Sequence, residues 1–267
     1  MPRERKDYQR IVQDISDECK DGKWKIYVIA AEGDKTEYLY FQELIQQYSL
    51  QLNKKNIKLK YLDKTNSGDS DPAAVYAQLK QCYDELVKKY DIQEYDELWM
   101  IIDTDYYRNR KDKIEELIKL FHEKINFKMG LSNPCFELWL ILHFVDTDSQ
   151  VDADSQFAKG NNPKKCKTNK KRKVKEPTQP TIREVIENEG IKGRPKLCKK
   201  VLSDIHPDKS KSNYYKEFIK GEYLVAAIER ARKLGECQHT DEDFPQRIGT
   251  TVYKLLEQFL ELFGQLD

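Results

Sequence analysis

The chain has no cysteine pair spaced as CxxC; its six cysteines, at 19, 82, 135, 166, 198 and 237, are scattered. That excludes the usual spacing of structural zinc and, in a chain of 267 residues, argues against a disulfide framework. There is no GxxxxGK[ST] phosphate loop, so the chain carries no ATPase of that kind itself. No apolar run approaches the roughly 20 residues that cross a bilayer, and MPRERKDYQR lacks the apolar segment of a signal peptide. A cytoplasmic protein with reduced thiols and no membrane partner is the expectation. Charge of one sign is also missing, with Lys plus Arg at 47 against Asp plus Glu at 46. A uniformly basic nucleic-acid binder is thereby excluded, but a local basic arm is not. From Lys159 to Lys175 nine residues are Lys or Arg and none is acidic.

What is present is an alternation of apolar runs. Residues 1–22 read as a polar helical lead-in, with Ile11, Val12 and Ile15 as a weak stripe. Trp24 to Ala31 is apolar and β-branched, a buried strand, and Thr36 to Leu50 follows at helical spacing. Ile57 to Leu62 reads as a second strand. Asp71-Pro72 pairs an N-cap with proline at the first helical position, opening a helix to about Tyr90. Glu97 to Ile102 is a third strand, Asp112 to Lys124 a helix, and Phe127 to Leu131 a fourth strand. Ser132-Asn133-Pro134 repeats the cap-then-proline signal ahead of an almost wholly apolar helix, Cys135 to Phe144. This alternation predicts an α/β core over residues 23–145, with a parallel sheet covered on both faces. Residues 146–180 form a charged, partly mobile insertion. Residues 181–267 form a helical C-terminal region packed on the core, with helices near 181–189, 195–204, 212–234 and 247–264.

Two acidic clusters follow apolar strands: Glu32-Gly33-Asp34-Lys35-Thr36-Glu37 and Asp103-Thr104-Asp105. Parallel strands deliver their carboxyl-end residues to one edge, where ligands bind. Carboxylates gathered there repel one another unless a cation sits between them, and oxygen ligands suit a hard divalent ion. Gly33 lets the backbone turn while leaving the carboxylate side open to a ligand. Thr36 can cap the following helix, with Glu37 in its first turn. Taken alone, Glu32 and Glu37 read first as capping acids, and Asp103 with Asp105 has a solvated turn as its alternative; together the two clusters favour Mg²⁺ or Mn²⁺. Glu137 is the one acid in an otherwise apolar helix and needs a partner, either this metal edge or a Lys or Arg elsewhere. His143 reads as a packed core residue. Lys216, in Ser212-Asn-Tyr-Tyr-Lys216, could neutralise charge building on a phosphate, or lie on a solvated face.

The sequence resembles the RloB family, within the wider group of Toprim-containing nucleases. The resemblance rests on EGxxTExxYF from Glu32 to Phe41, the DxD at Asp103 and Asp105, and SNPCFELWLILHF from Ser132 to Phe144. Tyr214-x-Lys216 and TTVYKLLE from Thr250 to Glu257 also match. It implies a Toprim-like parallel sheet flanked by helices, with Glu32 as the Toprim glutamate and Asp103 with Asp105 as the metal-binding pair. Related Toprim nucleases add a further acid and a distal lysine for two-metal cleavage; Glu37, Glu137 and Lys216 are the matching residues. Asn-Pro-Cys-Phe stands between Ser132 and Glu137, which leaves no clear role for the serine. The resemblance further implies anti-phage defence beside an ABC-type ATPase encoded separately.

The function expected is thus a Mg²⁺- or Mn²⁺-dependent endonuclease acting on DNA or on an RNA such as tRNA. Metal ligands would be drawn from Glu32, Asp103, Asp105, Glu37 and Glu137. Lys164, Lys165, Lys170, Lys171 and Arg172 would form a phosphate-contacting arm, with a solubilising loop as the alternative reading. The rival is a non-catalytic Toprim-like module that binds nucleic acid or the ATPase. A topoisomerase or primase ranks last, because neither a strand-passage tyrosine domain nor a primase zinc module is visible. Sixteen tyrosines and an apolar C-terminal helix leave room for a homo-oligomer without fixing one.

Overall fold

The computed structural model describes residues 24–33, 35–64, 71–104, 107–150, 179–207, 214–235 and 247–264, with backbone alone at 107–109. The lead-in helix, the basic segment from Lys159 to Lys175, and Asp105 therefore lie outside the described residues. No helix among those described is long and apolar enough to cross a membrane.

The described residues form a three-layer α/β structure around one sheet. Its strands are β1 (Lys25–Ala31), β2 (Ile57–Tyr61), β3 (Glu97–Asp103), β4 (Phe127–Asn133) and β5 (Gly249–Thr250). They lie in the order β2-β1-β3-β4-β5, the first four parallel and β5 antiparallel to β4. Central β1 is buried along its length beyond Lys25, as expected of a strand covered on both faces.

Alternate residues of each strand serve opposite faces. Ile26, Val28, Ala30, Leu98, Met100 and Ile102 pack under α3 (Pro72–Lys89) and α4 (Tyr107–His122). Tyr27, Ile29, Ala31, Trp99 and Ile101 face the other way. There they join one apolar cluster with α1 (Thr36–Gln47), α2 (Ser49–Lys54), α5 (Phe136–Phe144), α6 (Ile182–Asn188), α7 (Arg194–Ile205), α8 (Tyr214–Phe218), α9 (Gly221–Leu234) and α10 (Tyr253–Leu262). Helix α5 is buried from Phe136 to His143, which accounts for its lack of any polar face. Its carboxyl end is held by Arg230 of α9, whose guanidinium donates to the Leu142 carbonyl at 2.7 Å, satisfying one of the acceptors a helix leaves open there.

Several element boundaries differ from the sequence reading. The Asp71-Pro72 start holds: Asp71 accepts from the Ala73 N–H at 3.1 Å, with proline at the first position. Ser132 and Asn133, however, end β4 and do not cap α5, whose N-cap is Cys135 without a side-chain bond. Their polar groups are used across the sheet. The Ser132 hydroxyl meets that of Thr250 at 3.0 Å, and Asn133 accepts from the Thr104 hydroxyl at 2.7 Å and donates to the Arg247 carbonyl. The Asn133-Pro134 bond is cis. Thr36 is the first residue of α1 and no cap; the N-cap is Lys35. The helix expected over 212–234 is two, α8 and α9, and that over 247–264 begins with β5.

His143 is fully buried. Its Nδ1 lies 2.9 Å from the Trp139 carbonyl, which can only accept, so Nδ1 carries the proton. Nε2 then accepts from the Tyr40 hydroxyl at 3.2 Å. Burial drives its pKa down to about 3, so the ring stays neutral. Trp139 beside it has no exposed surface. Trp139→Ala is predicted to cost about 3–5 kcal/mol, read from the chemical-denaturation midpoint; a loss below about 1 kcal/mol would contradict the packing described.

Candidate metal centre

The strand order 2-1-3-4 places a topological switch point between β1 and β3, because the chain leaves β1 for one neighbour and returns to its other side. Ligands in such sheets bind in the crevice outside the carboxyl ends of those two strands. Glu32 follows β1 and Asp103 ends β3, so both stand at that crevice. The Glu32 N–H donates to the Ile101 carbonyl at 3.0 Å. Its carboxylate reaches over β3, where Oε2 accepts from the Asp103 N–H at 3.4 Å. Its other oxygen, Oε1, lies 2.6 Å from the Arg110 guanidinium of α4.

Glu37, in the first turn of α1, is 6 % exposed. Burial is the main reason its pKa rises from 4.5 to about 7. Its own backbone N–H opposes that rise, the charges of Glu137 and Glu32 add to it, and Lys64 partly offsets them. Glu37 of α1 thus feels the carboxylates of Glu32, just past β1, and of Glu137 of α5 in a poorly solvated space. Gly33 is what admits Glu37: a Cβ at 33 would lie 1.8 Å from Glu37 Oε2. The space that the glycine leaves is filled by this neighbouring carboxylate, where the sequence reading had left it open to a ligand.

Glu137 is buried with Lys199 of α7 at 3.7 Å, a lysine that is itself 60 % exposed. The partner expected for this acid is therefore present as a lysine, while its charge still acts on Glu37. Cys135 lies beside Glu137 and Asp103, and its thiol hydrogen-bonds with Cys198 of α7. Burial and these neighbours push the Cys135 thiol well above its ordinary range, so it packs as a small apolar residue.

Helix α8 closes this side. Tyr215 hydrogen-bonds with Thr36, and burial raises its phenol, with Glu37 and Glu137 adding to the rise. Tyr214 is buried, raised first by burial and then by Tyr215 and Glu137. Lys216 on the same helix is exposed. Both tyrosines feel the acids directly. Tyr214 was quoted in the sequence only as part of a matching motif, and Arg110, Lys64 and Lys199 were not singled out there. Arg110 sits seven residues past Asp103 in a run of basic residues, and nothing in that spacing marks one of them.

The donors gathered here are carboxylates, which fit a hard divalent cation in charge and atom type. Among the described residues no group of three or more His, Cys, Asp or Glu stands close enough to hold a metal. Glu32 accepts from the Asp103 N–H, and Glu37 feels the charges of Glu32 and Glu137, with Asp105 outside the described residues.

Sheet order and crevice together define a Toprim-like α/β protein with an acidic switch point. The family model described as RloB-like protein matches residues 27–259, and the chain belongs to the RloB-like family. No curated protein and no solved structure matches it.

Because the folded pKa of Glu37 is raised, its contribution to stability is whole below about 4.5 and is lost as pH rises to about 7. The stability of wild type relative to Glu37→Gln is predicted to fall across that window by on the order of a few kcal/mol. Denaturant titrations at stepped pH measure it, and a flat difference would contradict the raised pKa. Gly33→Ala should expel the Glu37 carboxylate and return its pKa towards 4.5, as read from the carboxyl carbon by NMR. An unchanged titration would show that the space left by the glycine is not what holds Glu37.

Proposed function

We propose that the chain is a Mg²⁺- or Mn²⁺-dependent nuclease that hydrolyses phosphodiesters of DNA or RNA, such as tRNA. The observation that carries this reading is the Glu32 carboxylate resting on the Asp103 N–H at the β1/β3 crevice, beside a Glu37 whose pKa is raised first by burial and then by its acidic neighbours. Glu32, Asp103 and Asp105 would hold one cation, and Glu37 or Glu137 would complete a second site. A divalent ion there supplies Lewis acidity at a phosphoryl oxygen and makes water a stronger acid.

The chain's own residues orient the reaction. The Asp103 N–H fixes the Glu32 carboxylate over β3. The buried wall formed by α1, α5 and α8 keeps water from the inner side of the acids, which strengthens every charge interaction among them. Glu37 would lose its proton to solvent water if a cation offset the acids beside it, and would then be free to act as a ligand. Lys216 would face the scissile phosphate from α8 and offset charge gathering on it. Lys164, Lys165, Lys170, Lys171 and Arg172 would track the nucleic-acid backbone, giving salt-dependent and sequence-independent affinity. Work in anti-phage defence with a separately encoded ABC-type ATPase belongs to the same proposal, as does an intracellular setting.

The second reading is a non-catalytic module that binds nucleic acid or the ATPase, and the Glu32–Arg110 pair favours it, since a neutralised carboxylate needs no metal. Cleavage assays decide between them. Removing even an outer partner of a metal ligand costs about 10- to 100-fold. Glu32→Gln and Asp103→Asn are therefore predicted to lose more than ~100-fold in Mn²⁺-dependent cleavage of plasmid or tRNA while remaining folded. Wild-type rates in either variant, or cleavage that persists in EDTA, would refute the assignment.

A further inference from the structure

The Glu32–Arg110 pair is short, at 2.6 Å, and its side chains are only 11 % and 14 % exposed. A pair this dry is not the screened surface contact that contributes little; breaking it leaves a charge in poor solvent. The carboxylate oxygen it occupies is one that a cation at the crevice would need. Arginine cannot lose its charge, so a divalent ion on Glu32 and a guanidinium on the same oxygen repel each other. One must leave when the other arrives.

Where the guanidinium could go is visible around the same rim. Arg110 stands in α4 beside Lys113, which is paired to Asp71 at 2.6 Å. The charge of Arg110 also helps to hold the Asp71 carboxyl below its ordinary range. On the other side, Lys64 acts on Glu37. Arg110 and the exposed Lys113 thus put cations beside the acids, and the guanidinium fork is the group best shaped to grip a phosphate through two parallel bonds.

We propose that Arg110 is a latch shared between the metal site and the substrate. It neutralises Glu32 in the resting protein and passes to a nucleic-acid phosphate when a divalent cation takes that carboxylate. This rests on the metal-dependent reading above. Because linkage is reciprocal, a phosphate that draws Arg110 away must tighten cation binding, and a cation must tighten phosphate binding by the same factor. The latch thus couples the two ligands without any movement of the sheet.

The test is Mn²⁺ binding by the full chain, measured from the loss of the free-ion EPR signal, for wild type, Arg110→Gln and Arg110→Lys. Each is titrated alone and with a cleavage-resistant phosphorothioate DNA duplex. Arg110→Gln is expected to bind Mn²⁺ at least about fivefold more tightly than wild type without DNA. The duplex should tighten Mn²⁺ binding by wild type and leave Arg110→Gln unchanged. Arg110→Lys keeps the charge but loses the fork, and should shift in the same direction by less, so a misfolded Arg110→Gln still leaves a readable variant. Equal or weaker Mn²⁺ binding in folded Arg110 variants would overturn the latch while leaving the metal site standing. A duplex without effect on wild type would overturn the hand-over. Mn²⁺ binding by none of the three proteins would overturn the metal site itself, and the latch with it.

Discussion

The burial of carboxylates beside one another in a single crevice is the constraint on which this site turns. Glu32 follows β1, Glu37 opens α1 and Glu137 comes from α5; burial first, and then the charges of Glu137 and Glu32, raise the pKa of Glu37 to about 7. The amino-end edge of the same sheet handles acids differently. Asp96 accepts from the Ile26 and Gln93 N–H groups, each at 2.8 Å, and Glu97 accepts from the Trp99 indole at 2.7 Å. Those carboxylates are satisfied by fixed donors and need nothing further. At the switch point Glu37 feels the charges of Glu32 and Glu137, with Arg110 on Glu32, Lys199 on Glu137 and Lys64 acting on Glu37 as counter-charges. That contrast within one sheet is why the crevice reads as a place built for positive charge.

The surrounding fold holds the acids at close quarters. Helix α5 can carry Glu137 inward only because its other residues are apolar and enclosed by α7, α9, β4 and β5. Its amino end is set by the β4 terminus, where Ser132 and Asn133 tie β3, β4 and β5 together. Glu37 is admitted by the missing side chain at Gly33 and covered by Tyr215 through Thr36. Packing energy thus positions charges that would otherwise separate, and the electrostatic cost stays available to a ligand that relieves it.

Much of this was legible in the sequence. Four apolar runs alternating with helical spacing specify a parallel sheet, and the acids just past β1 and β3 fall at its ligand edge. The family resemblance, carried by SNPCFELWLILHF, corresponds to the family match over residues 27–259. What stayed hidden depends on contacts distant along the chain. Ser132-Asn133-Pro134 looks like a helix cap because its partners, Thr104, Arg247 and Thr250, lie up to 118 residues away. Two-residue β5 is too short to show a period. The pairing of Arg110 with Glu32 spans 78 residues, and a sequence rich in lysine and arginine gives no reason to choose that one.

The measurement that tests the account most directly is anomalous diffraction from crystals soaked in MnCl₂. The account predicts a Mn²⁺ peak at the β1/β3 crevice, with oxygens of Glu32 and Asp103 among its ligands. A crevice without a peak at saturating Mn²⁺, with Glu32 still on Arg110, would contradict it.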